Sequence, residues 1–265
     1  MSNKLLSLPT ITLTSPGPIA FYLGKWPVRW YGVLIAIGFL TAYYFAEKLI
    51  KRNRLNLDIF NDLIFLILIF SMIFARLYFV ILSWDYFQDH LIEIPKIWYG
   101  GQSIHGGILG AILATMIFSK VKRISFYKYI DIIAVIAPLG QAIGRWGNFF
   151  NNEAFGKPVT NWFMKLYIPY DFRPENYLTY KYFHPTFFYE SFLDFMLFVF
   201  LYNKYNKWKE SEGKTFWTYL LFYGILRFCI EFIRVDSLKV FNGFASAHVA
   251  SVIIVVISSF FLFKR

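Results

Sequence analysis

Arg145, Asn148, Asn151 and Glu153 fall inside one short run, Gly144 to Gly156 (Gly-Arg-Trp-Gly-Asn-Phe-Phe-Asn-Asn-Glu-Ala-Phe-Gly), where an apolar stretch beginning at Asp131 meets a polar segment. An arginine near the end of an apolar helix must snorkel, pair or meet an anion; an ionised residue at the bilayer centre costs about 2.5–3.5 kcal/mol on insertion scales. A guanidinium beside an amide is suited to phosphate oxygens. A second polar group comprises Tyr223, Arg227, Glu231 and Arg234, spaced by 4, 4 and 3. At 100° per residue they share a helix arc of about 80°. Glu231 could simply neutralise Arg227 at the i, i+4 spacing, but intramembrane charges are functional by default.

His105 is the third candidate, in Gly-Gly-Gln-Ser-Ile-His-Gly-Gly. The glycines let the backbone bend and come close to a ligand, and an imidazole there can accept a proton; an interfacial histidine satisfied by water is the plain alternative. Smaller candidates are Arg76, as a partner of Asp62 or Glu47 or as a lipid ligand, and Asp131, as a pairing residue or a helix-entry group. His184, Tyr189 and Glu190 lie in His-Pro-Thr-Phe-Phe-Tyr-Glu, and His248 reads as a hydrogen-bonded structural histidine. Cys229, the only cysteine, reads as a packing residue.

The elements that position these residues are apolar and long. Of 265 residues, 57% are hydrophobic and 16% charged, against about 25% charged in soluble domains. The expected fold is all-α: a polytopic integral membrane protein, one domain over 1–265, with about seven transmembrane helices at 28–47, 59–82, 103–119, 129–147, 187–203, 215–233 and 244–263. The ten-residue alternation of a barrel is absent. In the fourth stretch, Gly140, Gly144 and Gly147 form a small face for close approach by a helix or lipid, and Pro138 can kink the helix one turn earlier.

Fourteen lysines and arginines fall in 48–58, 120–128, 204–214 and the C-terminal tail, against ten in the other connecting segments, four of them in the long segment 148–186. Long translocated segments weigh little, so the N-terminus is expected outside and the C-terminus inside. Segment 148–186 is too polar to span and is expected to form an extracytoplasmic cap. The first 27 residues lack an apolar h-region and do not read as a cleavable signal peptide. The net charge of +11 suits this topology and anionic headgroups and needs no nucleic-acid partner. The Gly-x-Ser-x-Gly elbow, the His-Glu-x-x-His helix and the Gly-x-x-x-x-Gly-Lys loop are missing, and no metal cluster or cofactor motif is apparent.

Gly144 to Gly156 resembles the signature Gly-Arg-x-Gly-Asn-Phe-apolar-Asn-x-Glu-x-x-Gly of prolipoprotein diacylglyceryl transferases at all eight fixed letters. The similarity extends to Val28-Arg29-Trp30-Tyr31-Gly32, Ala75-Arg76-Leu77, His105-Gly106-Gly107, His184-Pro185-Thr186 with Tyr189-Glu190, and Tyr223-Gly224 with Arg227-Phe228, Glu231-Phe232 and Arg234. Phe187 and Ala247-His248 stand where the family usually has glutamine and Gly-Gln. The resemblance implies transfer of a diacylglyceryl group from phosphatidylglycerol to the lipobox cysteine of bacterial prolipoproteins, in the cytoplasmic (inner) membrane, with release of glycerol phosphate and without a cofactor.

On that reading His105 activates the thiol, with Glu153 or Glu231 as the alternative base. Arg145 and Arg227 bind the phosphate, oriented by Asn148, while Glu153 and Glu231 hold the arginines. Tyr31 and Tyr223 complete the cavity, Gly156 constrains the backbone, and Arg76 is a further lipid ligand. Two other classes share the arginines. A transporter for an anion would show a half-repeat, and none is found. A phospholipase would replace the thiol with water.

Overall fold

In a computed structural model, residues 10–236, 239–240 and 244–264 are described. Lys4, Arg265 and the rest of the first nine residues, all used in the topology reading, lie outside the described residues. Along the chain run β1 (Ile11–Thr14), β2 (Ile19–Leu23), β3 (Trp26–Arg29), α1 (Trp30–Arg52), α2 (Leu57–Leu82), the single turn α3 (Trp84–Phe87), α4 (Ile104–Lys122), α5 (Tyr127–Asn151), β4 (Met164–Tyr167), β5 (Tyr182–Phe183), α6 (Thr186–Trp208), α7 (Lys214–Glu231), β6 (Lys239–Val240), β7 (Phe244–Ala245) and α8 (Ser246–Phe263). The chain is predominantly helical. Among the described residues, α1, α2, α4 and α8 are long and apolar enough to cross a membrane by length and composition. Helices α5, α6 and α7 carry Arg145, Glu190, Asp194, Arg227 and Glu231, the polar side chains that dilute their apolar character.

The chain divides into two compact units, 47–130 and 1–46 with 131–265. In the first, Asn56 caps α2 by accepting from the amide of Ile59 at 3.1 Å. Helices α2 and α4 pack through glycine: any Cβ at Gly106 or Gly110 would collide with the carbonyl oxygens of Phe74 and Phe70. Two glycines at i, i+4 therefore let the backbones approach, a role the sequence reading gave only to the later Gly140 stripe.

Arg76 lies buried on α2, and its role differs from the expected one. Nε donates to the carbonyl of Ile94 (2.7 Å), Nη1 to those of Gly100 (2.7 Å) and Gly101 (2.9 Å), and Nη2 to that of Glu93 (2.7 Å). The expected partners are engaged elsewhere, Asp62 with Lys122 at 3.2 Å and Glu47 with Lys51 at 2.5 Å. A planar guanidinium can bind several carbonyls of one folded-back loop at once, and here it orders 93–101. Gly101, at φ +72°, lies so close to Arg76 and Phe79 that no other residue fits. Arg76→Lys keeps the charge but loses the fork, and is expected to destabilise the protein by about 3 kcal/mol, read as a lowered thermal midpoint in detergent. A midpoint within a degree of the native value would contradict this role.

In the second unit, α1 meets α5 closely. A Cβ at Gly38 would stand 3.2 Å from the carbonyl oxygen of Gly140, and one at Gly147 would strike the Tyr31 ring, 2.6 Å from Cδ2. The small face thus serves α1 at Gly140 and Gly147, while Gly144 faces open space. Asp131 is a helix-entry group, but for a different helix from its own. Its oxygens accept the amides of Gly213 (2.6 Å) and Phe216 (2.8 Å) at the start of α7, meeting donors a helix leaves unpaired. Cys229 is exposed and free rather than packed.

The all-α expectation needs correction in segment 152–185. Strand β4 pairs in parallel with β1 and antiparallel with β5. Phe149, Phe155, Leu166, Ile168, Phe183 and Phe187 form a buried apolar cluster around them. Leu166 on β4 and Ile168 just after it are fully buried, so this polar-looking segment has its own small core. Phe187, where the family usually has glutamine, is part of it.

Candidate active site

Helix α5 carries the signature past the expected boundary of 147 to Asn151, which puts Asn148 and Asn151 on its last turn. Asn152 and Ala154 then adopt left-handed backbone (φ +54° each), a conformation that costs a non-glycine residue about 1 kcal/mol or more. The pair turns the chain back on the helix. Glu153 consequently accepts from Asn148 Nδ2 at 2.9 Å and Asn151 Nδ2 at 3.3 Å, and its amide donates to the carbonyl of Asn148. This corrects the expectation that Glu153 holds an arginine: the reversed turn leaves its carboxylate exposed over the amides.

Gly156 is buried where three strands of chain meet. Its amide donates to the carbonyl of His184 (2.9 Å), it forms a bridge with Arg234, and a Cβ would come within 2.8 Å of His184 and Ile233 and 2.9 Å of Thr186. Thr186 Oγ1 donates to the carbonyl of Ala154 close by. Gly156 is therefore a close-packing position, placed to tie the end of α5 to the start of α6 and the end of α7.

Arg145 meets a residue that the sequence reading passed over as an arginine partner. Glu190 Oε2 pairs with its Nη2 at 2.7 Å, and Glu190 Oε1 reaches Arg234 Nη1 at 3.5 Å. One turn further along α6, Asp194 Oδ2 lies 4.0 Å from Arg145 Nε. The signal for Glu190 was present in Tyr189-Glu190, and Asp194 follows at i+4, the spacing that shares a face. Arg227 pairs with Glu231 at 2.7 Å, as the spacing implies. Arg234 does not continue their helical face: α7 ends at Glu231, and Arg234 binds Asp236 through Nε (2.9 Å) and Nη2 (2.7 Å).

Arg145, Asp194, Glu190, Tyr223 and Arg227 line one cleft with Leu193, Leu226 and Ile230. Its enclosed volume of about 10 Å3 is room for about one water molecule, so an anion the size of phosphate must widen it. Arg145 Nε and Arg227 Nη1 are buried in it without a hydrogen bond, as is Asp194 Oδ2. Two guanidinium groups whose carboxylates leave N–H donors unengaged can receive an anion. The carboxylates are more deeply buried than their arginines, Glu190 at 6% against 22% for Arg145 and Glu231 at 1% against 20% for Arg227.

Beside this cleft Trp146 Nε1 donates to Ser191 Oγ (3.1 Å), which donates to the carbonyl of Ala142 (2.8 Å). An apolar groove of about 430 Å3 runs along α5 and α6 here, lined by Leu139, Ile143, Trp146, Phe188, Phe192 and Phe195 among others. Tyr189 accepts from Trp162 Nε1 (2.8 Å) and lies 3.2 Å from His184 Nδ1. Burial holds the His184 imidazole below its ordinary pKa of 6.5, so it is neutral at pH 7. His248 packs against Phe228 and Phe232, with Nε2 buried and without a hydrogen bond.

In the other unit, His105 is exposed on the first turn of α4, its ring 6.2 Å from that of Tyr78. Gly106, buried against α2, fixes the turn that presents it. No group of three or more potential metal ligands is present among the described residues.

A family model described as prolipoprotein diacylglyceryl transferase matches residues 18–264. A phosphatidylglycerol--prolipoprotein diacylglyceryl transferase of Staphylococcus epidermidis is 43% identical over 257 residues, covering 96% of this chain and 91% of its own. Proteins of the same name from Nostoc sp. (44% over 239 residues, 88% and 84% covered) and Staphylococcus aureus (43% over 251 residues, 94% and 89% covered) are similar as well.

Proposed function

The chain belongs to the prolipoprotein diacylglyceryl transferase family, and on that premise we propose that it transfers the diacylglyceryl group of phosphatidylglycerol to the lipobox cysteine of bacterial prolipoproteins. It is a transferase of lipoprotein maturation. The observation that carries the residue-level reading is the cleft in which Arg145 and Arg227 each keep a buried N–H donor unengaged.

The cysteine thiolate attacks the glyceryl carbon that bears the phosphate ester, a C–S bond forms, and the C–O bond breaks with its electron pair on the phosphate oxygen. Glycerol phosphate leaves with one more negative charge than the diester had. Arg145 and Arg227 bind the phosphate and stabilise that growing charge, which is where preorganised donors accelerate a reaction most. Asn148, held by Glu153, orients the phosphate, and Tyr223 and Tyr31 supply the polar wall. Glu190 and Glu231 keep the guanidinium groups in place, and Gly156 sustains the close packing behind them. His105 takes the thiol proton, because the thiolate is the competent nucleophile. The apolar groove along α5 and α6 is the place for an acyl chain.

The same reading places all seven long helices across the cytoplasmic (inner) membrane, with the N-terminus outside and segment 148–186 as an extracytoplasmic cap that receives the signal peptide. Its small core and the strand pairing support a cap rather than a bare connection. The test is turnover of detergent-purified enzyme with phosphatidylglycerol and a lipobox peptide, beside the same peptide with serine for cysteine. A gain of one diacylglyceryl unit on the cysteine peptide alone supports transfer. Lipid consumed with the peptide unchanged would make the protein a lipase, and folded protein that consumes none would point to transport.

A further inference from the structure

Glu190 and Asp194 stand one turn apart on α6, and both approach Arg145. Glu190 closes an ion pair with Nη2 at 2.7 Å, whereas Asp194 Oδ2 stops 4.0 Å from Nε. Neither Asp194 Oδ2 nor Arg145 Nε makes a hydrogen bond, although both are buried. Asp194 is 4% exposed, and burying a carboxylate oxygen without a donor is costly. Pairing does not require it, because Glu190 already serves Arg145 and Glu231 serves Arg227. Asp194 is therefore an additional carboxylate facing the cleft that holds both guanidinium groups.

We propose that Asp194 is a positioning residue of the transfer: standing just outside hydrogen-bond range, it keeps the Arg145 guanidinium turned to the cleft and limits how much negative charge the cleft retains. A singly charged phosphodiester then binds, and the doubly charged phosphomonoester formed when the C–O bond breaks is expelled. The inference rests on Arg145 as a phosphate ligand. Its size follows from Coulomb's law: one unit charge no farther than about 10 Å, at an effective dielectric of about 20, alters a binding constant by at least about tenfold.

The experiment compares native full-length enzyme with Asp194→Asn and Asp194→Glu, measuring kcat, KM for phosphatidylglycerol and inhibition by glycerol phosphate. Asp194→Asn is expected to bind glycerol phosphate about tenfold more tightly and to lose kcat while KM falls. A merely structural role would lower kcat without tightening product binding. Asp194→Glu keeps the charge and is expected to keep native inhibition. Equal inhibition of the native and Asn enzymes would overturn the proposal. So would tightened inhibition in the Glu enzyme, which decides the matter even if the Asn chain fails to fold. Glycerol phosphate inhibition unchanged by Arg145→Lys would instead remove the phosphate clamp, and this proposal with it.

Discussion

Arg145→Lys is expected to lower kcat/KM for diacylglyceryl transfer by about 100- to 1,000-fold while the protein remains folded. Lysine preserves the charge and can still approach Glu190, so the local ion-pair balance survives. What it loses is the planar fork that lets Nη2 pair with Glu190 while Nε remains for a ligand. An ammonium group engaged by the carboxylate has no fixed second edge to aim at the departing phosphate. The size is that of removing a preorganised donor from a developing oxyanion. The loss should fall on kcat as well as KM, because the added phosphate charge exists only as the C–O bond breaks. Thermal unfolding in detergent checks the fold, and turnover of a lipobox peptide gives the rate. Native kcat in a folded Lys enzyme would exclude a forked clamp.

His105→Asn is expected to reduce kcat at pH 7 by about 100-fold or more, with phosphatidylglycerol binding unchanged, because general-base assistance contributes about 10²–10⁴. The exposed side chain can be replaced without disturbing the α2–α4 packing, which depends on Gly106 and Gly110. The deficit should shrink as pH rises toward about 8.5, where a free cysteine thiol ionises unaided. A pH-independent deficit, or near-native turnover at pH 7, would take the proton-transfer role away from His105.

The helical frame was legible because apolar runs and their charged flanks report directly on burial in lipid. Arg227 with Glu231 was legible because both lie on one helix at i+4. Arg145 with Glu190 was hidden, since it joins α5 to α6 across a sequence gap that no periodicity spans. Glu153 misled for a local reason: left-handed backbone at Asn152 and Ala154 reverses the chain, and although asparagine tolerates that conformation, alanine gives no sign of it. Arg76 misled by its type. An arginine in an apolar helix suggests a ligand or a carboxylate, but the folded-back loop at 93–101 supplies four carbonyls instead. The core of segment 152–185 escaped because its apolar residues are short runs among tyrosines, asparagines and prolines, and only strand pairing gathers them.

The most direct test of the central claim is the fate of the bridging oxygen in phosphatidylglycerol labelled with 18O between the diacylglyceryl carbon and phosphorus. With purified enzyme and a lipobox peptide, the account predicts that the label leaves entirely with glycerol phosphate, one released per peptide modified, because the thiolate attacks carbon and the arginines receive the phosphate oxygen. Label retained in a diacylglycerol product, with the peptide thiol unmodified, would mean attack at phosphorus and would contradict the account.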